Sequence, residues 1–285
     1  MKRRTFHAAL GALIGGPLTA PAPGQSNPKK PTLVERLEFF DGDVIFGPPF
    51  ASAQDVVQEL DHYRIKEGLL FHQVCRDKAD ARGNLDLARE IQNSASSRKR
   101  LHLAWCIVPQ ADGRLPSAPE VLAGMREHGA RAARVFPRNH GYRLEGLKEI
   151  LGALEERKVP LLVDYGITFP HNDRTDWEEV EWALRSYPGL HIILCHPPSR
   201  KNIQIFRMME LSRQFHLSPA GFRIHQEVHA MTRLFGPQAV VFGSHSPFVT
   251  AAAPIAEVIY SGLDAREQKQ IAGDTLRDLL REARL

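Results

Sequence analysis

Four apolar runs in this chain each close on a side chain that can bind a cation or move a proton. Phe39-Phe40-Asp41-Gly42-Asp43-Val44-Ile45-Phe46 carries Asp43, and Val159-Pro160-Leu161-Leu162-Val163 leads into Asp164. Leu190-His191-Ile192-Ile193-Leu194-Cys195 ends at His196, and Ala239-Val240-Val241-Phe242 passes through Gly243-Ser244 to His245. Two carboxylates and two imidazoles suit Zn²⁺, Mn²⁺ or Fe²⁺ if three or four of them converge. Unaided by a metal, His196 and His245 could act as general acid and base on water or a carbonyl. Each group also has a structural reading: an aspartate that orders a strand-to-helix turn, or a buried histidine bonded to a carbonyl. A shared site is favoured by desolvation, because polar groups at the ends of apolar strands need one another, water or a ligand.

Secondary candidates complete the expected mouth. His72, near the end of Leu69-Leu70-Phe71-His72, and Arg134, in Ala133-Arg134-Val135-Phe136, are assigned to substrate binding. The planar fork of Arg134 can hold a carboxylate, and a salt bridge at the strand end is its alternative. Residues 166–173 form a long segment that could close over the site as a lid. His102 and His191 stand at strand beginnings and receive no chemical role. Cys75, Cys106 and Cys195 lie in or beside apolar runs and read as small hydrophobes. Alternation along a strand would send Cys195 and His196 to opposite faces, which disfavours a Cys/His nucleophilic pair.

The elements that must position these groups alternate in type. Apolar runs at Phe39–Phe46, Gly68–Val74, Leu101–Val108, Ala130–Phe136, Pro160–Tyr165, His191–Cys195, His216–Pro219 and Ala239–Phe242 are separated by amphipathic stretches. Those stretches include Ala53–His62, Leu85–Ser94, Ala118–His128, Leu144–Arg157, Trp177–Tyr187, Ile203–Gln214 and His225–Phe235. Eight strands with intervening helices are the count of an α/β single-domain (β/α)₈ TIM barrel, whose site lies at the C-terminal ends of the strands. A doubly wound open sheet is the alternative, and it lacks the G-x-G-x-x-G loop it would be expected to show.

With 285 residues, 43% hydrophobic and 25% charged, the composition is that of an ordinary globular chain. Its formal charge of +4 falls to +1 without Lys2, Arg3 and Arg4. No basic stripe with interleaved aromatics points to nucleic acid. Lys2-Arg3-Arg4-Thr5-Phe6, the weakly apolar run from Ala8 to Ile14, and the small residues around Thr19-Ala20-Pro21-Ala22 read as a twin-arginine export signal over 1–24. A linker over 25–35 would follow, and then a barrel over 36–285. The apolar run is too short to span a bilayer, so stable membrane insertion is not expected.

Over residues 38–282 the chain resembles the amidohydrolase-related TIM-barrel family of metal-dependent hydrolases and decarboxylases. That family's first strand ends in Asp-x-His-x-His, its sixth ends in His, and its eighth reads Gly-Ser-Asp-x-Pro. Here Asp43 and Ile45 stand where the paired histidines belong, Asp164 takes the fifth-strand position, and His245 replaces the eighth-strand aspartate in Gly243-Ser244-His245-Ser246-Pro247. His196 in Leu194-Cys195-His196-Pro197 matches unchanged. Residues 264–276 resemble the family's last helix, with Asp274 at a usual Asn.

The resemblance implies a hydrolase or carboxy-lyase acting on a small, carboxylated organic molecule. It implies one divalent ion (Zn, Mn or Fe) on Asp43, Asp164, His196 and His245, or a metal-free mode. A silent barrel that binds a small molecule or a partner protein is the second reading, and the oligomeric state is left open. The N-terminal pattern places the mature protein in the periplasm or outside the cell. Replacing Arg3 and Arg4 with lysine is expected to strand the protein in the cytoplasm; fractionation showing normal export of that variant would refute the signal.

Overall fold

The computed structural model describes residues 32–166, 174–197, 201–220 and 226–285. The expected export signal over 1–24, most of the expected linker and nearly all of the expected lid over 166–173 lie outside the described residues. The linker expected over 25–35 enters view at Thr32, which already forms a capping box with Glu35 at the head of the helix Leu33–Leu37.

Among the described residues seven parallel strands follow in sequence order: β1 Phe40–Phe46, β2 Glu67–His72, β3 Leu101–Ile107, β4 Ala132–Val135, β5 Leu161–Asp164, β6 Ile192–Cys195 and β7 Phe215–Ser218. Each pairs with its successor, and helices such as Ala53–His62, Ala118–His128 and Trp177–Ser186 lie between them. Runs of Leu, Ile and Val serve this arrangement because the strands are buried on both faces. One apolar layer lies inside the sheet, from Leu69, Phe71, Ala104, Cys106, Ala132, Leu162, Ile193 and Cys195. Their strand neighbours Leu70, Leu103, Ala133, Leu161, Ile192 and Leu194 belong to a second cluster. Leu276, Leu279 and Leu280, from the terminal helix Thr275–Glu282, join the inner layer.

The eighth run differs from the expected strand. Ala239–Phe242 forms no regular ladder; isolated bridges join Leu217 to Val240 and Val44 to Ser246. Closure nevertheless follows, because Val241 N–H donates to Leu217 O (2.9 Å), Gly42 N–H to Phe242 O (2.9 Å), His245 N–H to Asp43 O (2.9 Å) and Ile45 N–H to Ser246 O (2.8 Å). The segment lies between β7 and β1 and completes a (β/α)₈ barrel. Irregularity on β1 has a matching cause, a register shift between Asp41 and Val44. Glycine is needed where the edges meet: a Cβ on Gly243 would stand 2.4 Å from Ser218 Oγ and 3.1 Å from Asp43 Cβ.

The two histidines near the beginnings of β6 and β7 form a pair remote from those closing turns. His216 Nδ1 donates to Gln238 O at 2.7 Å, so its Nε2 is left to accept from His191 Nδ1 at 2.9 Å. Protonating His216 would set two N–H groups against each other. Burial first, and then His191, lower its pKa from 6.5 to about 4, whereas the unfolded chain takes up that proton near 6.5. The depressed value gives stability that is present above pH 6.5 and lost as pH falls toward 4. His216→Gln is expected to flatten the acid limb of the stability profile between those values; an unchanged slope in thermal melts would refute this origin.

Candidate functional site

Asp43, Arg134, Asp164, His196 and His245 come together at the C-terminal ends of the strands, all at most 5% exposed. Asp43 sits on the inner face of β1 within its register shift, and Arg134 points inward from β4 above Ala132. Arg134 Nη1 donates to Asp43 Oδ1 at 2.7 Å and Nη2 to Asp164 Oδ2 at 2.5 Å. The guanidinium lies over the Phe71 ring at 4.0 Å and within 5.5 Å of Phe136. Asp164 spends its other oxygen on Gly166 N–H at 2.7 Å.

The imidazoles approach Asp43 from the other side. His245 Nδ1 and His196 Nε2 both stand 2.9 Å from Asp43 Oδ2, and the two rings meet edge to face at 4.0 Å. His196 follows β6 in a left-handed conformation (φ 53°), as does His245 (φ 61°), a region disfavoured for residues other than glycine. The turn at His196 breaks strand alternation. Cys195 remains in the barrel interior while His196 also reaches inward, so the expected opposition of the two side chains does not hold. Burial holds the Cys195 thiol well above its usual range, and it is bonded to Ile193 O rather than paired with His196.

Burial would raise the pKa of Asp43, but His196, Arg134 and His245 outweigh it and hold the carboxyl well below the usual range. Asp164 is likewise lowered against its burial, by Arg134 and then His196. Burial, with His196 beside it, lowers His245 and favours the neutral ring. Both carboxylates are therefore charged, and the His245 imidazole keeps a lone pair.

Asp43, His196 and His245 each offer an atom within 4.8 Å of the others, a group that could hold a metal ion. The donor set is a carboxylate and two imidazoles; His196 Nε2 stands 2.9 Å from Asp43 Oδ2 without hydrogen-bond alignment, and its Nδ1 has no partner among the described residues. A coordinating lone pair would relieve that deficit, so these residues fit an ion.

Three of the expected site residues stand outside this trio. Asp164 is not part of the trio: its nearest oxygen is 3.8 Å from His196 Nε2 and is engaged by Arg134. Arg134 has no free fork for substrate, since both terminal nitrogens are bound to carboxylates inside the barrel. His72 does not join them either; its Nδ1 accepts from Val74 N–H at 3.2 Å and caps the helix Gln73–Lys78, and its ring packs on Phe46.

Sequence reasoning passed over Asp41 and Arg76. Asp41 Oδ1 accepts from Ser244 N–H (2.9 Å) and Asp43 N–H (3.0 Å), and its other oxygen accepts from the Ser244 hydroxyl, clamping the His245 turn to β1. The Asp-x-Asp spacing was its one visible sign. Arg76 packs its guanidinium 5.9 Å from the Phe71 ring and 5.4 Å from that of Phe248, which itself lies 6.0 Å from His245.

Asp43→Asn should be the more damaging of the two carboxylate substitutions, because it strips Arg134 and both imidazoles of their shared anion. A loss of about 3–5 kcal/mol is expected for breaking such a buried pair. Asp164→Asn should lose less, and denaturant unfolding that ranks them the other way would contradict the geometry.

Comparison of the sequence with protein-family models and with curated proteins finds no match. Solved structures do match. The 5-carboxyvanillate decarboxylase of Sphingomonas paucimobilis superposes with a TM-score of 0.64 at 14% identity, over 86% of this chain and 99% of its own. A TIM-barrel protein from Bordetella bronchiseptica gives 0.63 at 17% identity, over 88% and 89%. A 5-carboxyvanillate decarboxylase from Novosphingobium aromaticivorans, solved with bound manganese, gives 0.61 at 15% identity, over 80% of each chain. By fold, the chain is similar to these TIM barrels and to a putative amidohydrolase from Staphylococcus aureus, which gives a TM-score of 0.67 at 13% identity.

Proposed function

We propose that the protein is a hydrolase or carboxy-lyase acting on a small carboxylated organic molecule at the C-terminal mouth of the barrel. The observation that carries this reading is the convergence of Asp43 Oδ2, His196 Nε2 and His245 Nδ1 at buried strand ends. These three residues would hold a divalent ion, whose chemistry there is to polarise a carbonyl or carboxylate and to lower the pKa of water. Manganese in the Novosphingobium decarboxylase supports such an ion, and the decarboxylases among the structural neighbours support a carboxylated substrate.

The remaining residues orient and exclude. Asp41 and Ser244 fix the turn that carries His245. Phe71 and Phe136 keep the floor under Arg134 dry, which strengthens each charge interaction above it. With Arg134 committed, Arg76 is the cation suited to a substrate carboxylate. It shares the Phe71 ring with Arg134 and the Phe248 ring with His245, and its side chain is 15% exposed. Its Nε donates to Asp77 Oδ1 at 2.7 Å and its Nη2 to Oδ2 at 3.5 Å, which sets the plane of the fork and leaves Nη1 outside that pair. Phe248, 53% exposed, offers a flat apolar face beside it.

A panel of aromatic carboxylic acids, lactones and esters, supplied with Mn²⁺ or Zn²⁺ and followed by carbon dioxide or proton release, tests the reading. Turnover is expected to vanish in His245→Ala. Arg76→Ala should raise KM by about tenfold or more while changing kcat less, the signature of lost substrate binding. Wild-type protein that turns over no member of the panel even with Mn²⁺ or Zn²⁺ in excess would favour the silent barrel.

A further inference from the structure

We infer that Arg134 is a resident counter-cation of the site. Its guanidinium fills, between Asp43 and Asp164, an electrostatic place that would otherwise call for a second positive charge, so the ligand set stands assembled without an ion and binds one weakly. This rests on the reading that Asp43, His196 and His245 form the ion site.

The geometry carries the argument. Arg134 is fully buried, and each terminal nitrogen is bound to a different carboxylate, at 2.7 and 2.5 Å. It cannot withdraw into solvent, because Phe71 lies 4.0 Å from the guanidinium and Phe136 5.5 Å. The carboxylate that it holds through Oδ1 is the one that offers Oδ2 to the two imidazoles. An ion on Asp43 would thus share a single carboxylate with a fixed guanidinium, in a setting where like charges are poorly screened. Charge balance points the same way. Asp43, Asp164 and Arg134 sum to one negative charge; a divalent ion would invert that sign, whereas without Arg134 it would neutralise the two carboxylates.

Arginine suits this role better than lysine would, because its rigid fork spans two carboxylates at once and cannot be deprotonated at ordinary pH. Removing the guanidinium should convert a weak ion site into a strong one, at the expense of order in its absence.

The experiment titrates Mn²⁺ alone into chelator-treated wild type, Arg134→Met, Arg134→Gln and Arg134→Lys, reading free Mn²⁺ by electron paramagnetic resonance and the thermal midpoint in parallel. Wild type should show weak binding and a midpoint insensitive to chelator. Arg134→Met and Arg134→Gln should bind about tenfold tighter or more, melt lower without ion, and recover with it. Arg134→Lys, which keeps the charge, should stay weak. If Arg134→Met folds only with Mn²⁺ present, that dependence supports the inference. Equal affinity in wild type and Arg134→Gln, or a gain in Arg134→Lys as large as in Arg134→Gln, would overturn the counter-cation alone. No binding by any variant, folded Arg134→Gln included, would overturn the ion site and the inference with it.

Discussion

One guanidinium between two carboxylates sets the terms for everything above the barrel's apolar floor. Asp43 and Asp164 come from strands on different parts of the sheet, are withdrawn from water, and would repel each other without Arg134. Burying such a trio gives little net stability over a well-packed apolar equivalent, yet removing one member leaves an uncompensated charge. The arrangement ties β1, β4 and β5 together, because Arg134 on β4 reaches a carboxylate on each of the other two. His196 and His245 then inherit their positions from Asp43, which each approaches at 2.9 Å.

The inner layer below explains why this polar cap can exist. Phe71, Phe136, Cys106, Leu162 and Ile193 are buried and carry no unpartnered polar groups into the centre. Structures at 14–17% identity superpose over most of the chain although no sequence family matches. A parallel barrel asks for apolar side chains of suitable volume on both faces of each strand, a demand many sequences meet. What sits on the last inward position of each strand is much less constrained by the fold, and chemistry is set there.

This division also governs what could be read from the sequence. Apolar runs and amphipathic stretches gave the alternation, and polar residues closing those runs marked Asp43, Arg134, Asp164, His196 and His245. Pairing across 30 and 91 residues of sequence decided the fate of Arg134, and no local pattern records it. His72 had the right place on β2 but found a backbone N–H two residues on before it could reach the centre. The shift on β1 and the left-handed turns at His196 and His245 broke the period of two on which facing arguments depend. The eighth run read as a strand because it is apolar, although it closes the barrel through isolated bridges and scattered backbone bonds.

The clamp between Asp41 and Ser244 joins residues 203 positions apart. During synthesis, β1 must wait for nearly the whole barrel before its carboxylates meet the turn that carries His245. Contacts of such long sequence separation form late, since loop closure must precede any gain from them. A nascent or truncated chain thus exposes Asp41 and Asp43 to water as two ordinary aspartates, unable to gather the histidines. The cluster of Asp43, His196 and His245 is therefore complete only once the last stretch of chain has closed on β1.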